Sequence, residues 1–373
     1  MSLREKLVQA IRTCGPIPFS RYMEMCLYDA GHGYYSRNAE QFGKAGDFYT
    51  SSDVHAVFGR LLARQFEEMW RVLGSPERVE ILELGPGRGL FARDVLDWSE
   101  KKFPEFFESV HYSLHEQSAA LRERLKTTLD RHLATGRVSI EGGRKEESAN
   151  PAIIFANEFF DALPVEIVGS QGELRIGEEN GRFVETWSPL SEENRQYLAR
   201  FSILPQAVER VEAGRIAYEQ MSELAKKVRK GFLIAIDYGY SQAEQLAGRH
   251  CGTVTAYRQH SISASPYEAP GEQDITAHVN FTALSAAAAE QGMAVQPLLT
   301  QSQFLLGIGE TNQFADAFED CRLPQEQAKV ALQLKHLITP AGVGETFQVM
   351  AASKGVPPED AAKLSGLNFA LSK

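Results

Sequence analysis

The chain has 373 residues, 43% of them hydrophobic and 24% charged, with a formal net charge of -10. That length suits one large domain with additions, or two domains, and so ordinary a composition excludes global disorder. The acidic balance excludes a broad nucleic-acid binder, which needs clustered Lys and Arg to neutralise phosphates.

The densest basic run, Ala225 to Lys230, closes a helical pattern, where cations complement the helix dipole. No window approaches ~18 consecutive apolar residues, so neither a transmembrane helix nor a membrane partner is expected. The first residues show no signal-peptide or transit-peptide pattern, which predicts a cytoplasmic protein. Cys14, Cys26, Cys251 and Cys321 form no C-x-x-C pair and have no His at ligand spacing. Reduced thiols and no metal site follow.

In chain order, Leu3, Leu7, Val8 and Ile11 share one helical face, and Gly15-Pro16 stops that helix. A second helix is expected over Phe19 to Leu27, a turn over 31–35, a loop over Phe42 to Ser52, and an amphipathic helix from about Val54 to Leu73. From Val79 the pattern alternates. Strands are expected at Val79–Leu84, Val110–His115, Val138–Ile140 and Ile153–Ala156. Helices fall between them at Leu90–Trp98 and, as one long element, Ser118–Leu133. This order predicts a parallel sheet covered by helices. Residues 164–187 read as short antiparallel strands turning at Gly172 and Asn180-Gly181, and 205–229 as helix. Sheet-building resumes at Gly231 to Asp237. A strand at Thr253–Tyr257, a polar loop over 259–280, a helix over 281–291, a strand over 294–299, helices over about 301–337 and a last strand at Phe347–Ala351 complete the pattern. The expected organisation is therefore a helical region over 1–76, a core over 77–163 and 231–353, an inserted α+β segment over 164–230 that serves as a substrate or cap region, and a tail over 354–373.

Gly85-Pro86-Gly87-Arg88-Gly89 stands between a strand and a helix, which is the context that gives a glycine loop meaning. Glycines turn tightly and let a ligand approach the backbone. Dinucleotide enzymes need a third glycine at position 90, which is Leu90, and no Gly-Lys-Ser/Thr follows for a phosphate loop. The G-x-G-x-G spacing is that of S-adenosylmethionine enzymes. Glu116 ends the next strand, where a carboxylate can accept hydrogen bonds from both ribose hydroxyls. Glu83 before the loop, Gln117 beside Glu116, and Asn157 complete the expected cofactor contacts.

Ligands of open α/β sheets bind beyond the carboxyl ends of the strands. Asn157, Glu158 and Asp161 follow the fourth strand at such an end and are the first catalytic candidates. Phe159 and Phe160 read either as a wall against water or as core. Asp237 ends a later strand, and Asp274 lies in the long polar loop. His278 is a nearby imidazole, although a lone His is more often structural.

These residues together resemble the MidA-like (DUF185) family of S-adenosylmethionine-dependent methyltransferases, related to the mitochondrial complex I assembly factor and protein arginine methyltransferase NDUFAF-seven. The resemblance spans roughly residues 10–352. It rests on the segment from Gly46 to Asp53, the Glu83–Gly89 loop, Glu116-Gln117-Ser118, Asn157–Pro164, Asp237-Tyr238-Gly239 and Gly271–Phe281. Ser52-Asp53, Leu90 and Asn280 depart from the family pattern, which has Pro-Glu, Thr and Asp there. The resemblance implies a class I, Rossmann-like methyltransferase fold and S-adenosyl-L-methionine as cofactor. It implies that Gly46, Asp47 and Thr50 belong to an N-terminal segment that closes over the cofactor. It also implies arginine of a complex I subunit as a substrate type.

Arginine holds its proton to a pKa above ~12, so an arginine methyltransferase needs carboxylates to orient the guanidinium. Glu158 and Asp161 come first, Asp237 and Asp274 second. A methyltransferase acting on a small molecule, and an assembly chaperone that binds S-adenosylmethionine without catalysis, are the alternatives. A second copy of the chain, in a homodimer, is the other partner this reading admits.

Overall fold

Leu3, Leu7 and Ile11 are buried along one face of helix α1 (Leu3–Cys14), which Ser2 and Glu5 open with a reciprocal capping box. Gly15 at φ 78° ends α1 and leads to a two-residue strand, β1 (Ile17–Pro18), and helix α2 (Phe19–Tyr28). The structure, a computed structural model, describes residues 1–36, 56–141, 150–205, 209–258, 261–263 and 265–368. Helix α3 (Ala56–Val72) precedes β2 (Val79–Leu84), α4 (Leu90–Lys102), β3 (Val110–His115), β4 (Val138–Glu141) and β5 (Ala152–Asn157). Strands β6 (Glu166–Gly169), β7 (Gly172–Glu179), β8 (Arg182–Ser188) and β9 (Arg210–Ala213) follow, then the long β10 (Gly231–Tyr240). The remaining strands are β11 (Thr255–Arg258), β12 (Ser261–Ile262), β13 (Asp274–Thr276), β14 (Val279–Asn280), β15 (Ala294–Val295), β16 (Leu299–Thr300) and β17 (Phe347–Lys354).

Among the described residues several elements differ from the sequence expectation: the strand expected over 294–299 is two short strands, and helices Pro104–Ser109 and Glu192–Phe201 have no counterpart in it. The long helix over Ser118–Leu133 breaks at Leu129, whose φ of -113° leaves the helical region, into Ala119–Thr128 and Asp130–Ala134. Two threonines just before the break hold helix poorly. The helix expected over 205–229 begins only at Arg215, because β9 pairs antiparallel with β6, Glu212 opposite Ile167. The polar loop over 259–280 contains β12, β13 and β14. β9 and β14 pair with β6 and β10, strands distant in sequence that local periodicity does not report, while β12 pairs with the adjacent β11.

The contacts divide the chain into two units, one drawn from 1–48, 159–221 and 239–287 and the other from 49–158, 222–238 and 288–373. The second unit carries the sheet order β15-β17-β10-β5-β2-β3-β4. Strands β10, β5, β2, β3 and β4 run parallel to their neighbours, and β17 runs antiparallel to β10. An aromatic stack forms part of its core: Phe91 of α4 lies 4.5 Å from Phe155 of β5, and Phe66 of α3 meets Phe155 edge-on at 5.6 Å. Near the chain's end, Gln65 and Glu68 of α3 accept the N–H groups of Gly366 and Ser365.

In the first unit, β7 pairs with β1, β6 and β8, and β6 with β9, all antiparallel. A small separate sheet has the order β12-β11-β13. Leu7, Phe19, Tyr22, Leu174 and Ile176 lie in the core against which α1 and α2 fold. Among the described residues no helix is long and apolar enough to cross a membrane.

Candidate active site

Parallel register aligns the carboxyl ends of β2, β3 and β5 with one another and with the middle of β10. Leu84 pairs with both His115 and Ala156, and Ile236 pairs with Asn157. Gly85, Glu116 and Glu158 leave three of those strands side by side, whereas Asp237, expected to end its strand, lies inside β10, which runs on to Tyr240 because it pairs with β17 and β14. All belong to the second unit.

The turn after β2 requires left-handed backbone. Gly85, Gly87 and Gly89 have φ of 60°, 52° and 76°, conformations that a side chain disfavours. Gly89 is the N-cap of α4 and carries no side-chain cap, so the first turn of the helix opens toward the loop. Glu83, just before the loop, is buried and accepts the Tyr112 hydroxyl at 2.8 Å. Burial raises its carboxyl to about 8 against the opposing pull of that hydrogen bond. Glu116 is also buried. One oxygen accepts the Ser118 N–H at 2.7 Å, and burial raises this carboxyl to about 7, with the Ser118 N–H and Arg122 pulling it down. Gln117 is exposed, and its carbonyl accepts from Arg122.

Asn157 donates its amide to Glu158 Oε1 at 3.1 Å, while its own Oδ1 is buried with no hydrogen-bond partner among the described residues. Glu158 sits at φ 50°, a costly conformation for a residue with a Cβ, and its N–H is tied to the Ile236 carbonyl. Asp237 is fully buried and accepts the Tyr238 N–H at 3.0 Å. These three candidates share one unit. Asp161 and Asp274 belong to the other, where both are buried, the Asp161 carbonyl accepts the Ala277 N–H, and Asp274 accepts the Tyr35 hydroxyl. Gly46, Asp47 and Thr50 lie outside the described residues. Phe160 is buried and Phe159 partly so, edge-on at 5.2 Å. His278 faces His250, Nδ1 to Nδ1 at 3.0 Å; burial and that neighbour lower it to about 4, so it is neutral at physiological pH.

Sequence reasoning missed Tyr35 and Glu212. Glu212, buried on β9, accepts the N–H groups of Thr253 and Val254, and the Thr253 hydroxyl accepts the His278 N–H. Each joins segments far apart in sequence, and no local pattern signals that. Among the described residues no group of His, Cys, Asp and Glu could hold a metal ion.

A strand–glycine loop–helix with a carboxyl at the end of the next strand is a nucleoside site, and the missing third glycine of the dinucleotide pattern removes a pyrophosphate ligand. S-adenosylmethionine fits it: Glu116 can take ribose hydroxyls, and the unpartnered Asn157 oxygen can take a donor. Fold and site thus define an S-adenosylmethionine-dependent methyltransferase. Residues 61–299 match the family described as "Putative S-adenosyl-L-methionine-dependent methyltransferase", and the chain belongs to that family. A crystal structure from Burkholderia thailandensis with S-adenosyl-homocysteine bound is 29% identical, with a TM-score of 0.84 over 97% of this chain and 95% of that one. The mitochondrial protein arginine methyltransferase NDUFAF7 homolog of Drosophila melanogaster is 28% identical over 95% of this chain and 85% of its own length. Mitochondrial NDUFAF7 of Homo sapiens is 26% identical over 92% and 82%.

The cytoplasmic expectation is corrected by these relatives, which are named mitochondrial. A targeting segment is not part of the fold, so the packed domains carry no record of the compartment.

Proposed function

We propose that the chain methylates an arginine side chain of a protein, of the kind carried by a respiratory complex I subunit. The observation that supports this reading is the match of relatives named protein arginine methyltransferase to between 92% and 97% of the chain. When bound, the cofactor supplies an electrophilic methyl group on a sulfonium. Gly85, Gly87 and Gly89 would bring the loop backbone against it, with Glu83 and Asn157 to either side. Glu116, beside Gln117, would accept the ribose hydroxyls.

The acceptor is the harder problem. Guanidinium is a weak nucleophile because its charge is delocalised and its proton is held to a pKa above ~12. A carboxylate can localise that charge, fix the plane of the group in a bidentate pair, and receive the proton. Glu158 and Asp161 are assigned this work first, and Asp237 and Asp274 second. Asn157 holds Glu158 Oε1, so the Glu158 carboxylate is already oriented by the chain itself.

The test is transfer from tritiated S-adenosylmethionine to proteins of a cell extract, followed by acid hydrolysis and chromatography. Label in methylarginine is expected; label confined to small molecules would refute the reading. In the same assay Glu158→Gln should lower turnover roughly 100-fold, the range for one preorganised group, while cofactor affinity stays within about twofold. Equal losses would assign Glu158 to cofactor binding instead.

A further inference from the structure

Tyr35 reaches across 239 residues of sequence to donate its hydroxyl to Asp274 Oδ1 at 2.9 Å. Tyr257 stands directly opposite Asp274 in the antiparallel pairing of β11 with β13, so the two side chains lie on one face of that small sheet. The Tyr28 ring lies 5.6 Å from that of Tyr35, and its hydroxyl donates to the carbonyl of Ala162, the residue after Asp161. The Asp161 carbonyl in turn accepts the N–H of Ala277, three residues beyond Asp274. Two carboxyls that are 6% and 4% exposed thus share one neighbourhood with the partly buried Tyr28, Tyr35 and Tyr257, all within one unit. Burial first and then Asp274 raise the phenols of Tyr35 and Tyr257, with smaller contributions from Asp161 to both and from Tyr28 to Tyr35. Both hydroxyls therefore stay protonated, and Tyr35 remains a donor.

We propose that Tyr35 is a positioning residue of a cation pocket within the first unit: its hydroxyl fixes the Asp274 carboxylate so that Asp274 and Asp161, among tyrosine rings, receive a planar cation. Resting on the arginine reading above, that cation is a guanidinium of the protein substrate. Carboxylates match its fork of N–H groups, and aromatic faces attract its charge while keeping water from competing. Asp274 is faced by Tyr35 and Tyr257, with Asp161 and Tyr28 nearby.

The probe is N-acetyl-arginine amide, titrated from about pH 5 to about pH 9 into the full chain loaded with S-adenosyl-homocysteine. Tyr35→Phe should weaken the probe roughly tenfold. It should also move the acid limb of the binding curve to higher pH, because a carboxylate that has lost a donor protonates more readily. Affinity for S-adenosyl-homocysteine should not change. Wild-type affinity with an unmoved acid limb in Tyr35→Phe overturns the proposal. If Tyr35→Phe does not fold, Tyr257→Ala decides: it should weaken the arginine probe and spare the neutral citrulline analogue, and equal effects on both overturn the proposal. A wild-type protein that makes methylarginine but does not bind the probe overturns the pocket and leaves the arginine reading intact. Probe binding that depends on Tyr35, without methylarginine in the extract, removes the arginine reading and leaves a cation pocket.

Discussion

Burial holds Glu116 neutral up to a pH of about 7, yet the charged carboxylate is the better acceptor for two hydroxyls. A ligand that donates to it favours ionisation, so binding should release a proton below that pH. Affinity for S-adenosylmethionine is expected to rise between pH 6 and pH 8, on either side of the Glu116 value of about 7, and calorimetry in buffers of different ionisation enthalpy would show the proton. Glu116→Gln should flatten this dependence and lower affinity by about 1.5–3 kcal/mol, the range for a hydrogen bond to a charged group. A steep dependence surviving in the variant would point to Glu83, which titrates at about 8. Glu158 shows the other cost of a functional position: a left-handed backbone that the surrounding strands must hold in place.

Helix α4 carries the loop at its start, and α3 clamps it from one side. A Cβ built on Gly59 of α3 would lie 2.7 Å from the Asp94 Cβ of α4, so the two helices approach as closely as glycine allows. Gly59→Val should force them apart and cost about 1–3 kcal/mol, the usual range for overpacking. A melting curve would show this as a lowered midpoint. An unchanged midpoint would mean that the helices shift at no cost. The Phe66, Phe91 and Phe155 contacts would be strained by the same shift, because those rings span α3, α4 and β5. The short helix Ser365–Asn368 is anchored on the same α3 through Gln65 and Glu68, so α3 receives both the loop-bearing helix and this short one.

Over the whole molecule, Glu83, Glu116 and Glu212 are buried carboxyls raised by desolvation to about 8, 7 and 7. In the unfolded chain they ionise at the ordinary glutamate value near 4.5. The stability they contribute is present in full below that value. It is lost as the pH rises toward 7 and 8, because the unfolded chain releases protons that the folded one retains. Thermal stability of the ligand-free protein should therefore fall between pH 5 and pH 8, a window set by these values. Glu83→Gln should make the slope shallower. Stability that rises over that range would show that these carboxyls are ionised in the folded protein.

The sequence alone determined the cofactor half of this protein. The alternation of strand and helix from Val79, the spacing of Gly85, Gly87 and Gly89, and the acid at Glu116 are local features. A glycine at a left-handed turn and a residue at a strand end keep their meaning wherever the rest of the chain goes. The hairpins turning at Gly172 and Asn180-Gly181 were legible for the same reason. Only the tertiary structure decided what depends on distant partners. It made a strand of Arg210–Ala213, set Glu212 as the clamp on Thr253, and joined Tyr35 to Asp274. Pairing and burial are properties of what a residue meets, and a residue 239 positions away leaves no trace in the local pattern.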